Sequence, residues 1–378
     1  MIGIDFAFVF PQEVKAGYLY RSYELSAATI LDQFSKMGVS KNCQLIVNHY
    51  AASFIAKRFP DYKLCVVNYP FSDLMFHLTN GTKSANTWSK KSGAFQKKIQ
   101  KERFDFIWYP CGLPENVCEC GIPYLCTVND IINYHNTNDM KLKNQYKSMI
   151  EKSESIVTIS DYVKNDVLAS FSCENKIINR IPVSIKKPEK PCKEYALMGK
   201  PYILDINGFG PHKNTLTLLK AYNLIYKDVS FDLCLCGGWK DDAYFSKVKD
   251  FISQNGLQNR VKIFYGVTND EKNWLLWNAS LFVTPSLNEG FGMTPVEAAM
   301  CCVPVISTKA ASLSEVTLNR ANYVDNATDE KELARLMKKI LLNKASHDTL
   351  EQFSLDLENT YSAETCANLY LNILKRYI

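Results

Sequence analysis

Short apolar runs rich in Val, Ile and aromatic residues alternate along this chain with stretches whose apolar positions recur at helical spacing. In the first half the runs predict strands at residues 2–8, 44–47, 64–67, 104–109, 124–128 and 156–159. In the second half they predict strands at 202–206, 231–236, 261–264, 281–284, 303–306 and 322–324. Helical periodicity falls between them, for example at 18–36, 215–226, 244–254 and 330–342. Strands that are apolar on both faces and separated by helices belong in parallel, doubly wound sheets, so the fold class is α/β.

The alternation is interrupted once. Residues 181–201 carry Pro182, Pro188, Pro191 and Pro201 among Lys186, Lys187, Lys190, Lys193 and Lys200. Such a stretch supports neither a helix nor a central strand and reads as a linker. The chain has 378 residues, enough for two domains with separate cores. We therefore expect one domain over 1–190 and a second over 191–361. The last helix repeats its apolar positions at Cys366, Leu369, Tyr370, Ile373 and Leu374, and residues 362–378 are expected to pack back on the first domain.

Composition narrows the setting. The amino terminus has neither a basic start nor a small-residue cleavage site, and no run of about 18 apolar residues occurs. The 13 cysteines form no regular disulfide framework, so reduced thiols in a cytoplasmic protein are expected. Cys111, Cys118, Cys120 and Cys126 cluster without paired metal-ligand spacing, and no metal site is expected. The net charge of +5 is uneven: residues 1–195 hold 25 basic and 19 acidic side chains, the remainder 19 and 20. Much of the excess lies in 83–103, where Lys83, Lys90, Lys91, Lys97, Lys98, Lys101 and Arg103 interleave with Trp88 and Phe95. A basic segment with exposed aromatics suits peripheral contact with an anionic membrane, while a solvated helix face has the same pattern. No nucleic-acid recognition motif accompanies the charge.

The informative stretch runs from Thr284 through Pro285-Ser286-Leu287-Asn288-Glu289-Gly290-Phe291-Gly292-Met293-Thr294-Pro295-Val296-Glu297. A buried strand leads into a loop with two glycines, which lets backbone approach a ligand closely. Thr294 suits a helix N-cap, Pro295 the first helical position and Glu297 the third. A helix amino end attracts anions, and in open α/β sheets ligands bind beyond the carboxyl ends of strands. Thr294-x-x-Glu297 also reads as a capping box, which would occupy Glu297 locally. No capping rule calls for Glu289.

Glu289-Gly290-Phe291-Gly292 followed by Glu297 resembles the Glu-x7-Glu signature of retaining glycosyltransferases of family 4, the group 1 glycosyl transferases. The resemblance implies the GT-B architecture: two Rossmann-like domains with parallel sheets facing an interdomain cleft. It implies that Glu289 contacts the donor sugar near the reacting centre and that Glu297 binds the nucleotide ribose. Backbone amides of Gly290, Phe291, Gly292, Met293 and Thr294 would contact the sugar and diphosphate. A second segment, Tyr202-Ile203-Leu204-Asp205-Ile206-Asn207-Gly208-Phe209-Gly210-Pro211-His212-Lys213-Asn214, resembles the first strand and turn of the family's nucleotide domain. There Lys213 matches the lysine that neutralises the donor diphosphate, beside Gly208 and His212. Base recognition would fall near Gly266 and Val267.

In the first half, Thr127-Val128-Asn129-Asp130 resembles a family segment that usually ends in His-Asp, so Asn129 and Asp130 are expected on the acceptor or sugar side. Gly17 opens the first long helix where members carry an acceptor loop. The resemblance further implies a nucleoside-diphosphate sugar donor, a saccharide or lipid-linked acceptor, retention of configuration, and no cofactor or divalent metal. Polysaccharide, lipopolysaccharide or glycoconjugate synthesis at the inner face of a membrane would follow. Two alternatives stay open: a nucleotide-sugar epimerase of similar shape, and a non-catalytic nucleotide-sugar-binding protein.

Overall fold

A computed structural model of the chain describes all residues except 8, 10, 17–21, 68–77, 79–92, 113–116, 118, 119, 175, 239, 344 and 345. It divides into two compact units, Met1–Ser184 with Ser362–Ile378, and Ile185–Tyr361. In the first, the order is β1 (Ile2–Asp5), α1 (Pro11–Ala16), α2 (Ser22–Lys36), β2 (Cys43–Asn48), α3 (Ala52–Arg58) and β3 (Lys63–Val67). There follow α4 (Gly93–Glu102), β4 (Phe106–Tyr109), β5 (Tyr124–Val128), α5 (Ile132–Asn136), α6 (Met140–Lys152), β6 (Ser155–Thr158), α7 (Asp161–Ser170) and β7 (Ile177–Arg180).

The second unit contains β8 (Tyr202–Ile206), α8 (Thr215–Ile225), β9 (Asp232–Gly237), α9 (Asp242–Gln254), β10 (Val261–Tyr265) and α10 (Asn269–Asn278). It continues with β11 (Leu281–Thr284), α11 (Met293–Met300), β12 (Val305–Thr308), α12 (Leu313–Val316), β13 (Asn322–Val324), α13 (Glu330–Leu342) and α14 (His347–Tyr361). The chain ends in α15 (Ala363–Leu374), which belongs to the first unit.

Among the described residues, every strand pairing is parallel. The first sheet has the order β3-β2-β1-β4-β5-β6-β7 and the second β10-β9-β8-β11-β12-β13. Both are the doubly wound order, in which the chain reverses its direction of advance once, between β1 and β4 and between β8 and β11. The α/β expectation with two Rossmann-like units is met. Each unit closes over its own core: Ile4, Leu45, Phe106 and Trp108 lie in the first, and Ile203, Leu235, Val283 and Met337 in the second.

Local chemistry sets where the helices begin. Ser160 accepts from Val163 N at 3.1 Å before α7, and Asp241 from Tyr244 N at 2.7 Å before α9. Thr268 and Glu271 form a full capping box at the start of α10, satisfying donors the helix itself leaves open. Strand β7 has no counterpart in the sequence pattern. It is an edge strand paired only with β6, and its half-exposed Ile177-Ile178-Asn179-Arg180 is too short and mixed to stand out. Strand β12 starts two residues later than the apolar run, because Pro304 has no N–H to give the ladder.

Helix α4 corrects one detail. Phe95 was expected among exposed aromatics, but it is buried with Ile99 on the inner face of the helix. Lys98 pairs with Glu102 along the edge of that face. Trp88 and residues 83–92 lie outside the described residues, as do Gly17 and Cys118.

Helix α15 is held to the first unit by aromatic stacking. Tyr370 lies 4.5 Å from Trp108 between ring centroids, and its hydroxyl is 3.1 Å from Thr127 Oγ1, which also accepts from Trp108 Nε1. Tyr377 stacks on Phe106 at 3.8 Å. Replacing Tyr370 by Ala removes a buried ring and leaves Thr127 without one partner. We expect a loss of about 3–5 kcal/mol in guanidinium unfolding of this unit; a loss below about 1 kcal/mol would mean that α15 is not part of its core.

Candidate functional site

The site is built from the loops that leave β8 and β11, the two adjacent strands at which the second sheet reverses. Such a crossover leaves a gap between loops that run to opposite faces, and this is where ligands bind in open α/β sheets. After β8, Gly208 is buried and Phe209 packs against Phe245 at 4.8 Å, so Phe209 is a core residue. The turn Pro211–Lys213 then delivers Lys213. After β11, residues 285–292 return Glu289 toward it. Lys213 Nζ lies 2.6 Å from Glu289 Oε1, with the side chains only 13% and 14% exposed.

Three tethers fix this geometry. Asn214 has φ 57°, a left-handed conformation that asparagine tolerates better than most residues. Its Nδ2 donates to Pro285 O at 3.0 Å and Ala327 O at 2.7 Å, while Thr217 Oγ1 donates to its Oδ1 at 2.7 Å. Leu287 N donates to His212 O at 2.8 Å, joining the two loops through backbone. Ser312 Oγ reaches Glu289 O at 2.8 Å and Phe291 O at 3.0 Å. Phe291 is buried edge-on against Tyr361, with ring centroids 5.5 Å apart.

Helix α11 departs from the sequence-based expectation. It begins at Met293 with Gly292 as its N-cap, and no side chain caps it. Gly292 has φ 90°, which lets the chain enter the helix two residues before Thr294. Thr294 and Pro295 therefore lie inside the first turn, and the capping box does not form. Glu297 is released from local duty. It is buried and pairs instead with Lys272 of α10 at 2.7 Å. Gly290, Met293 and Thr294 are half-buried around the loop and first turn, the end of a helix that favours anions.

Beneath the loop lies Asp205, fully buried in β8. Its Oδ1 accepts from Asn207 Nδ2 at 2.5 Å, and the same amide reaches Thr284 Oγ1 at 3.3 Å. Burial pushes the Asp205 carboxyl up to about 7, against the pull of the Asn207 bond and the Lys213 charge. Burial, with Lys213 nearby, holds the His212 imidazole below its ordinary value, which favours the neutral ring.

The other expected residues are placed apart from this pair. Val267 is half-buried in the segment between β10 and α10. Asn129 and Asp130 follow β5 in the first unit, where Asp130 Oδ1 accepts from Ile132 N at 3.1 Å. Asn129 borders a pocket of about 10 Å³ with Tyr23, Trp108, Thr127 and Tyr370, room for at most one water. Among the described residues, the side chains grouped as a metal site would need are the exposed His347, Asp348 and Glu351 on α14, on none of the loops of the site.

Residues 187–354 match the family Glycosyl transferases group 1. Over 275 residues the chain is 24% identical to an uncharacterized glycosyltransferase of Methanocaldococcus jannaschii, covering 71% of this chain and 74% of that one. It is 25% identical over 242 residues to O-antigen chain mannosyltransferase B of Escherichia coli, covering 60% and 61% of the two. The alignment thus spans less than two thirds of that relative. The crystal structure of Anabaena HepE in complex with UDP and glucose superposes with a TM-score of 0.73 at 14% identity, over 99% of both chains. The chain has the GT-B fold and is related to the group 1 glycosyl transferases. The matched segment contains the Lys213–Glu289 and Lys272–Glu297 pairs.

Sequence reasoning did not find Asn214, Ser312, Lys272 or Asp205. A signal existed for two of them. Asp205 is the one charge in an otherwise apolar strand, and Lys272 follows a readable Thr268-x-x-Glu271 cap. Asn214 and Ser312 act through tertiary contacts that no spacing rule announces.

A Cβ on Gly292 would approach Leu313 Cδ2 to 2.6 Å at a positive φ. Gly292→Ala should cost more than about 1 kcal/mol, read as a lower thermal midpoint; an unchanged midpoint would contradict this loop conformation. For Asp205, the folded value exceeds the unfolded one, so the folded state holds its proton more tightly. Its contribution to stability is complete below about 4 and is lost as pH rises through about 7. Asp205→Asn should therefore raise the thermal midpoint most above pH 7 and least near pH 4, and an equal shift at both ends would refute the assignment.

Proposed function

We propose that this protein transfers a sugar from a nucleoside-diphosphate sugar to a saccharide or lipid-linked saccharide acceptor, with retention of anomeric configuration. The observation that carries the proposal is the Lys213–Glu289 pair, 2.6 Å apart and mostly buried, at the crossover between β8 and β11. A cation and a carboxylate held side by side suit a ligand that is anionic at one end and hydroxylated at the other. An activated sugar is such a ligand.

In this scheme Lys213 and the amino end of α11 stabilise the charge that develops on the departing diphosphate. Glu289 orients the sugar hydroxyls or stabilises positive charge at the anomeric carbon. Backbone of Gly290–Thr294 lies along the sugar and diphosphate, with Gly208 and His212 beside the Lys213 turn. Glu297 takes the ribose, and the base lies near Val267. Asn129, Asp130 and Gly17 serve the acceptor. The leaving phosphate takes the acceptor's proton, so the scheme needs neither a protein base nor a divalent metal. Relatives support the saccharide acceptor: the Escherichia coli protein is by name an O-antigen chain mannosyltransferase. HepE has been crystallised with UDP and glucose, which supports the donor class.

No helix among the described residues is long and apolar enough to cross a membrane. The proposal places the protein in the cytoplasm, with 83–103 touching the inner membrane face when the acceptor is lipid-linked.

The test begins with thermal shift against nucleoside diphosphates and their sugars, followed by product analysis with the donor that binds. Glu289→Gln keeps size and shape but leaves the Lys213 charge without its partner, so it should lower the thermal midpoint while the chain still folds cooperatively, and lower kcat/KM by about 100-fold or more. Full activity in that variant removes Glu289 from the chemistry. NMR of the new linkage should report retention, and an inverted product would refute that part of the scheme. Conversion of the donor sugar in the absence of acceptor would instead identify an epimerase.

A further inference from the structure

Glu297 is held by a residue from a different helix, and this bears on how a nucleoside is read. Lys272 sits in the second turn of α10, whose two ends are both fixed. At the amino end, the Thr268–Glu271 capping box sets where the helix starts, directly after Gly266 and Val267. Gly266 is itself tied back to the sheet, its N–H donating to Gly237 O at 3.1 Å. Further along, Leu275 O accepts from Tyr202 Oη at 2.8 Å and Trp274 stacks on the Tyr202 ring at 6.4 Å, so α10 is pinned to β8. The Lys272 ammonium is thus offered from a fixed helix.

Lys272 Nζ meets Glu297 Oε1 at 2.7 Å, with the two side chains 27% and 11% exposed. Only one carboxylate oxygen is engaged; Oε2 makes no hydrogen bond to any described residue. Because α11 starts at Met293 without a side-chain cap, Glu297 has no capping function to perform. A carboxylate clamped at one oxygen presents the other in a single direction. An unclamped one would spread over several rotamers, and ordering it would then oppose binding. A lysine suits this task, since its point charge holds one oxygen where the forked arginine head would take both.

We propose that Lys272 is a positioning residue: it aims the free oxygen of Glu297 at the vicinal hydroxyls of a nucleoside's ribose, so that discrimination between ribose and 2′-deoxyribose depends on Lys272. This rests on the proposed function, which puts Glu297 at the nucleoside. Lys272 touches no reacting atom. Its loss should weaken donor binding and raise KM while leaving kcat within about twofold, because the contact is the same in ground and transition states.

The experiment is titration calorimetry of UDP, GDP and ADP and their 2′-deoxy counterparts against the full chain, with thermal unfolding of every variant alongside. For the base that binds, the wild type should prefer the ribonucleotide by about 10-fold or more, as for a hydrogen bond to a charged group. Lys272→Ala should reduce that preference to within about threefold, and Lys272→Gln should behave in the same way. Lys272→Arg, whose forked head would take both carboxylate oxygens, should restore little of it. A purely structural role for Lys272 would weaken both nucleotides equally and leave the ratio intact, which overturns the inference. Equal binding of ribo and deoxy forms by the wild type overturns it as well. If none of the nucleoside diphosphates binds the wild type, the proposed function itself fails, a distinct result. Should Lys272→Ala unfold early, Lys272→Gln and Lys272→Arg decide the question by the same ratio.

Discussion

Lys213 and Glu289 hold opposite charges in a place where neither would be comfortable alone. With most of each side chain removed from water, their attraction is stronger than it would be on the surface. The loss of either partner would leave the other charge poorly compensated. Each comes from a loop beyond a different strand, β8 or β11, and those strands are neighbours only because the sheet reverses there. The pair therefore depends on topology first and on loop chemistry second. Under the proposed function, a donor separates the two charges by giving each a substitute, an anionic diphosphate for Lys213 and sugar hydroxyls for Glu289. The paired state keeps both groups positioned before any ligand arrives.

Holding that pair requires backbone to be fixed by buried side chains. Asn214 braces one loop against Pro285 and Ala327, and Ser312 draws two carbonyls of the other loop to a single hydroxyl. Neither residue is a candidate for chemistry. Both act on main-chain atoms and so fix the loop through its backbone. Gly292 adds a bend that a residue with a Cβ would fill against Leu313. The consequence is that α11 starts early, its amino end is bare of any capping side chain, and Glu297 is free for another partner.

Asp205 gives the site a buried group that changes charge near neutrality, because dehydration outweighs the single amide bond and the nearby ammonium. It lies under the Lys213 loop rather than in it. Its cost falls on the folded state at higher pH, within the same unit that carries Lys213, Glu289, Lys272 and Glu297. A strand that is otherwise apolar thus carries one polar group next to the turn where function is proposed, a common place for a protein to break its own packing rules.

Alternation of apolar runs and helical periodicity was enough to read the α/β class with doubly wound parallel sheets from the chain, since strand burial and helix amphipathicity are written in local spacing. Edge strand β7 escaped that reading because a half-exposed edge needs few apolar residues. The spacing of Glu289, Gly290, Gly292 and Glu297 directed attention to the loop after β11, and the lysine turn after the first strand of the second unit could be read in the same way. What the sequence misplaced was the start of α11: Thr294-x-x-Glu297 satisfies the local rule for a capping box, yet a positive φ at Gly292 moves the helix start and gives Glu297 to Lys272. That outcome, like the meeting of Lys213 with Glu289, links residues far apart in the chain. Local pattern determines which elements form, whereas only the packing of those elements decides which charges they bring together.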